Sequence, residues 1–146
     1  MPDAEAPTPQ QVADRVREGM FRNDRASKWL GMQILQVAPG QAVLQMTVRD
    51  EMLNSHDICH GGLITTLADS AFAFACNSYD EFTVASGFGV DLLAPAPPPS
   101  GQTAPMEITS SVSVRPVVSV SIRMNPSATS LRAVSTAAFR AIFCSR

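Results

Sequence analysis

The stretch MLNSHDICHGGLITTLADSAFAFACNS, Met52 to Ser78, decides how this chain folds. From Gly61 onward Leu63, Ile64, Leu67, Ala68, Ala71, Phe72, Ala75 and Cys76 recur at helical spacing and cover more than one side. The spacing predicts a helix from Gly61 to about Ser78, and a helix that apolar must be wrapped by other structure. One carboxylate, Asp69, stands inside the apolar run. A buried, isolated carboxylate costs several kcal/mol even after relaxation, so Asp69 needs a partner, a proton or a task.

Working outward, the flanks read as strands and one further helix. Thr8-Pro9-Gln10-Gln11 has the form of a helix start, with Thr8 as N-cap, Pro9 at the first helical position and Gln11 closing a capping box. Val12, Val16 and Met20 continue it as an apolar stripe, and Asn23-Asp24 end it. MQILQVA (32–38) and AVLQMTV (42–48) flank Pro39-Gly40, which predicts a hairpin. A polar loop (49–59) precedes the long helix, and Trp29-Leu30-Gly31 lead into the first strand. TVASGFGVDLL (83–93), MEITSSVSV (106–114), PVVSVSIRM (116–124) and AAFRAIF (137–143) are further candidate strands. The order implies one α+β domain over residues 1–146, with an antiparallel sheet packed around a central helix and a disordered start at residues 1–7.

The totals exclude several partners. Net charge is −2, only 16% of residues are charged, and Lys28 is the one lysine. Nucleic acid is therefore not expected to bind, and so sparse a charged surface suggests cover by another subunit. No run is apolar enough to span a membrane. Three cysteines (Cys59, Cys76, Cys144) without CxxC spacing read as reduced thiols, hence a cytoplasmic protein. Charge is distributed unevenly: residues 95–146 carry five arginines and one acid, residues 1–94 six basic and twelve acidic residues.

The long helix also carries the candidate chemistry. Gly61 and Gly62 at its start let a ligand approach free backbone N–H groups, where the helix dipole favours negative oxygen. A thioester or ester carbonyl polarised by the Gly61 N–H would fit there. Asp69 lies about 12 Å further along the axis, too far to reach the carbonyl carbon of the same chain's site. If both residues act on one substrate, they come from two subunits. Thr65 and Thr66, four and three residues before Asp69, face it and either hydrogen-bond it or line an entrance. Asn54 offers an uncharged amide for a water or a carbonyl. His60 is a helix N-cap or a general base, and His56 a loop residue. A thiol nucleophile at Cys59 lacks a dyad partner, since the adjacent His60 side chain diverges from it and no histidine follows His60. His56, Asp57 and His60 are a conceivable but unfavoured metal set, so no metal or other cofactor is expected.

Asn54, His60-Gly61-Gly62 and Leu67-Ala68-Asp69, together with LGMQILQVAPGQAVLQMTV (30–48) and VASGFGVDLLAPA (84–96), resemble the PaaI-type thioesterases of the hotdog superfamily. That resemblance implies a hotdog fold and a dimer with sheets joined edge to edge, usually paired into a tetramer. It also implies hydrolysis of acyl-CoA, with phenylacetyl-CoA and its ring-hydroxylated forms as leading substrates. Asp69 would be the catalytic carboxylate, as nucleophile or base. Gly61 would supply the oxyanion N–H, and Asn54 and His60 would position thioester and water, with Gly62, Thr65 and Thr66 lining the site. Two departures stand out. The hydroxyl that related enzymes carry before the aspartate of the fourth block is missing at Gly89 and Val90, so that role is unfilled or falls to Ser86. Residues 97–136 are expected to be atypical for the family. A hotdog hydratase or dehydratase, or a non-catalytic acyl-CoA-binding domain, are the alternatives.

Overall fold

The computed structural model describes residues 5–90, 92, 95–96, 106–112, 118–123 and 135–143. The first helix, α1 (Pro9–Asn23), begins with the expected reciprocal box: Thr8 Oγ1 accepts from the Gln11 N–H at 3.2 Å, and Gln11 Oε1 accepts from the Thr8 N–H at 2.8 Å. Asp24 does more than stop α1. Its Oδ1 accepts from the Ser27 N–H at 2.9 Å and so caps a second short helix, α2 (Arg25–Trp29), where the sequence suggested only a lead into the first strand. An aspartate can end one helix and cap the next, because its side chain satisfies the new first turn. Of the start at 1–7, residues 1–4 lie outside the described residues, while 5–7 are exposed and without regular structure.

β1 (Gln33–Ala38) and β2 (Gln41–Met46) form the expected hairpin, with Gly40 at φ 72° in the turn. A bulge at Leu35 interrupts the β1 register. The polar loop contains a 3-10 turn at Asp50–Met52, then leads to α3 (Gly61–Asn77). β3 (Thr83–Gly89) ends before the expected residue 93. β4 (Met106–Val112), β5 (Val118–Arg123) and β6 (Ser135–Phe143) complete one six-stranded, wholly antiparallel sheet of order β1-β2-β4-β5-β6-β3. β4 and β5 lie inside the stretch 97–136.

The sheet wraps α3, which packs mainly on β2 and β4. Leu67, Ala68, Ala71, Phe72, Phe74 and Ala75 of the helix meet Ala42, Leu44 and Met46 of β2 in the core. Alternation along β2 puts those three inward, as a half-buried strand requires. Side chains fix both ends of the wrap. At the helix C-terminus, Ser78 Oγ accepts from the Gly40 N–H and donates to the Ala75 carbonyl, both at 2.7 Å, which ties the hairpin turn to α3. Asn77 accepts from the Thr83 N–H and donates to its carbonyl, both at 2.9 Å, and so fixes the start of β3. On the other side, α1 lies along β1: Gln10 Nε2 donates to the Val37 carbonyl at 2.9 Å and Arg17 to the Ile34 carbonyl at 3.4 Å.

Among the described residues one core group is left unsatisfied. Ser110 of β4, opposite Ala42, is fully buried and its hydroxyl has no hydrogen-bond partner among the described residues. A buried unsatisfied hydroxyl costs roughly 1–3 kcal/mol. Ser110→Ala should therefore raise stability by about 1 kcal/mol, seen as a higher urea midpoint; a lower midpoint would mean the hydroxyl has a partner after all. Among the described residues no helix is long and apolar enough to cross a membrane.

Candidate active site

The site starts with a turn that presents α3. Leu53 and Cys59 form an antiparallel bridge. Inside it the Asn54 N–H donates to the Ile58 carbonyl at 2.9 Å, and the Asp57 N–H to the Asn54 carbonyl at 3.0 Å. Asp57 takes a left-handed φ of 55°, which aspartate tolerates better than most residues. Asn54 Oδ1 accepts from the His56 N–H at 2.9 Å. That bond assigns the amide's orientation and leaves its NH2 without an acceptor among the described residues. The His60 N–H donates to the Met52 carbonyl and the Cys59 N–H to the Ala96 carbonyl, each at 2.8 Å, so the turn is held from two sides.

A helix starts with N–H groups that have no partner one turn back. In α3 nearly all of these are taken. His60 is the N-cap: its Nδ1 accepts from the Gly62 N–H at 3.1 Å, while its carbonyl accepts from Leu63 at 2.9 Å and Ile64 at 3.4 Å. The Gly61 N–H alone in this turn has no acceptor among the described residues. It stands at the positive end of a 17-residue helix, so it is the group left to meet a carbonyl oxygen.

The same bonds revise the expected parts of its neighbours. With Nδ1 accepting, the proton of neutral His60 is assigned to Nε2, so the ring caps the helix and its remaining nitrogen is a donor rather than a base. The Gly62 N–H is taken by that cap, and a Cβ on Gly62 would come within 3.2 Å of His60 Nδ1. Thr65 Oγ1 donates to the Gly61 carbonyl at 2.9 Å and Thr66 Oγ1 to the Gly62 carbonyl at 2.8 Å. Both hydroxyl protons are therefore turned away from Asp69: threonine inside a helix finds the carbonyl four residues back before it finds a side chain.

Asp69 is half-buried, and among the described residues its carboxylate has no hydrogen bond or ion pair. Burial pushes its pKa above the ordinary carboxylate value. Its neighbour is anchored: Ser70 Oγ lies 3.2 Å from the buried Ser27 Oγ, which donates to Asp24 Oδ2 at 2.6 Å. This chain of hydroxyls holds the α1–α2 elbow against the Asp69 turn, and nothing in the spacing of Asp24, Ser27 and Ser70 announced it. Ser86 is the extra residue of a bulge in β3, between Ala85 (opposite Ala141) and Gly87 (opposite Arg140). The structure thus gathers Asn54, His60, Gly61 and Gly62 at one end of α3, and sets Asp69 two helical turns away. Leu92, which had no sequence signal, lies over Gly61: a Cβ built on that glycine would sit 2.5 Å from Leu92 Cδ1.

Other chemistries find less support. Burial raises the pKa of the Cys59 thiol and pushes that of Cys76 up to about 12, so neither is a thiolate at neutral pH. Among the described residues no group of three His, Cys, Asp or Glu side chains is arranged to hold a metal ion. The cap reading of His60 has its own test. His60→Ala should cost about 1 kcal/mol in urea unfolding and His60→Asn should restore most of it, because asparagine is a good N-cap. A His60→Asn protein as unstable as His60→Ala would refute the cap.

The chain matches no family model. Over 76 residues it is 49% identical to the acyl-coenzyme A thioesterase PaaI of Escherichia coli (strain K12), a match covering 52% of this chain and 54% of that enzyme. The chain thus spans about half the length of the curated relatives it matches. Among solved structures, the E. coli PaaI protein from the phenylacetic acid degradation operon has a TM-score of 0.83 at 30% identity, covering 94% of this chain and 97% of that one. A mutant of the phenylacetic acid degradation protein PaaI from Thermus thermophilus has a TM-score of 0.59 at 29% identity, covering 80% and 99%. The E. coli PaaI structure, 30% identical and matched over 97% of its length by a sheet wrapped on one long helix, settles the family: the chain belongs to the PaaI-type thioesterases of the hotdog superfamily.

Proposed function

We propose that the protein hydrolyses acyl-CoA thioesters to free acid and CoA, in sites shared between two subunits of a homodimer or of a homotetramer built from two dimers. The observation that carries this is on α3: among the described residues the Gly61 N–H and the Asp69 carboxylate have no partner, and they lie about 12 Å apart along the axis. In one chain they cannot meet at a single carbonyl. Two α3 helices running antiparallel across a twofold axis bring Gly61 of each to Asp69 of the other, and make two equivalent sites.

In each site the Gly61 N–H holds the carbonyl oxygen and stabilises the charge that grows on it. Asp69 attacks the carbonyl carbon or takes a proton from the attacking water. Its partial burial favours both roles, since a carboxylate short of solvation is a stronger base. The Asn54 amide, its oxygen fixed by the His56 N–H, points its NH2 at the water or thioester. His60 holds the helix end in shape, with Nε2–H as a further donor. Gly62, Thr65 and Thr66 line the approach, and Ser86 stands in for the hydroxyl missing at Gly89 and Val90. The thiolate of CoA leaves without a strong acid, and the scheme includes none. Arylacetyl groups, phenylacetyl and its ring-hydroxylated forms, are the proposed substrates, in the cytoplasm.

CoA release followed with a thiol reagent tests this. Thiol appearing from phenylacetyl-CoA supports the proposal. Loss of the enoyl chromophore of crotonyl-CoA without thiol release would make the protein a hydratase. Saturable binding with neither reaction would make it an acyl-CoA-binding domain.

A further inference from the structure

The segment after β3 holds a side chain that the scheme above does not use. Leu92 follows the strand end at Gly89, and four residues later the Ala96 carbonyl accepts from the Cys59 N–H at 2.8 Å. Leu92 Cδ1 lies where a side chain at position 61 would be, 2.5 Å from a Cβ built there. The leucine side chain has no acceptor, so it covers the glycine while the Gly61 N–H keeps no partner among the described residues. It is also 49% exposed, an apolar wall standing open at the mouth of a polar donor.

We infer that Leu92 is a specificity-determining residue of this site, the wall that admits acyl thioesters with an unbranched (CH2) α-carbon and turns away α-branched ones. The inference rests on the proposal that the Gly61 N–H receives the thioester carbonyl. An oxygen held there lies about 3 Å from the Gly61 nitrogen. The sulfur and the α-carbon, both attached to the carbonyl carbon, must then pass on either side of it, close to the leucine methyl. Sulfur is divalent and brings no branch, whereas a methyl on the α-carbon needs a further carbon's width of about 3.5–4.0 Å from its neighbours. A wall at this point therefore discriminates on the acyl side. It also keeps water off one flank of the N–H, which strengthens a hydrogen bond to developing charge.

The test compares butyryl-CoA with isobutyryl-CoA, which differ only in where one carbon is attached. Leu92→Ala should raise the isobutyryl-to-butyryl ratio of kcat/KM by about tenfold, the effect of one methyl group in a fitted pocket. Leu92→Phe should lower it. A merely structural leucine would change both substrates together, so an unchanged ratio in Leu92→Ala, with the wild-type enzyme active on butyryl-CoA, overturns the inference and leaves the thioesterase proposal standing. A wild-type protein inactive on butyryl-CoA and phenylacetyl-CoA alike overturns both.

Discussion

Asp69→Asn should reduce thioester hydrolysis by at least roughly 10²–10⁴-fold, the range lost with a general base, and more if Asp69 is the nucleophile. The variant should also be more stable than wild type at neutral pH. Asparagine keeps the shape of aspartate but neither attacks a carbonyl nor takes its proton. The stability gain follows from burial. The folded-state pKa of Asp69 is raised above the ordinary 3.8, so the folded protein binds the proton more tightly than the unfolded chain does. Stability then falls as pH rises from the unfolded value through the folded one, and the penalty is fully present above it. Asp69→Asn removes that penalty. Its advantage in thermal melts should be largest near neutrality and should vanish below the unfolded pKa. Wild-type turnover in the folded variant would end the catalytic assignment; a variant less stable at neutral pH would mean the carboxylate has a partner across an interface.

Mixing two inactive proteins should restore activity. Gly61→Ala is expected to fold, because the atom its methyl meets is the free end of a half-exposed leucine, which can turn aside. It crowds the carbonyl at the N–H, and loss of one such donor costs about 10²–10³ in kcat. Combined with Asp69→Asn subunits and allowed to exchange, it gives mixed dimers. In each, one site carries both lesions and the other neither. At equal amounts half the dimers are mixed and half of their sites are whole, so about a quarter of wild-type activity should return. If each chain held a complete site, every site would carry a lesion and nothing would return. Failure to complement, with exchange demonstrated by mass-tagged subunits, would refute the shared site.

The long helix, the first hairpin and the capped start of α1 were legible because each rests on local rules: apolar spacing from Leu63 to Cys76, Pro39-Gly40 between two apolar runs, and Thr8 with Gln11. α2 was not, since five residues are too few for a periodic signal and Asp24 reads equally as a stop. The end of β3 at Gly89 was hidden by the apolar text that follows it. Of the proposed site, Gly61 stood out as a glycine at a helix start and Asp69 by the cost of burying a lone carboxylate. The direction of the Thr65 and Thr66 hydroxyls could not, because a carbonyl four residues back competes with a side chain at the same spacing. Leu92 could not either: its contact with Gly61 joins residues far apart in sequence, and an apolar residue before a proline-rich loop carries no mark of its neighbour.

The side chains that α1 lays on β1 have a consequence for how copies of this chain add up. Gln10 and Arg17 occupy outward carbonyls of that strand, while at the far end of the sheet β3 pairs only with β6 among the described residues and shows Val84 to solvent. An exposed strand invites another to pair with it, and a covered one does not. If the proposed dimer joins through β3, the subunit is, in the language of polymer chemistry, a monofunctional monomer. Joining through β3 would consume that end in each partner, so growth along the sheet would terminate at two. A larger assembly of such pairs would stack them through their faces, and its count of subunits would be even.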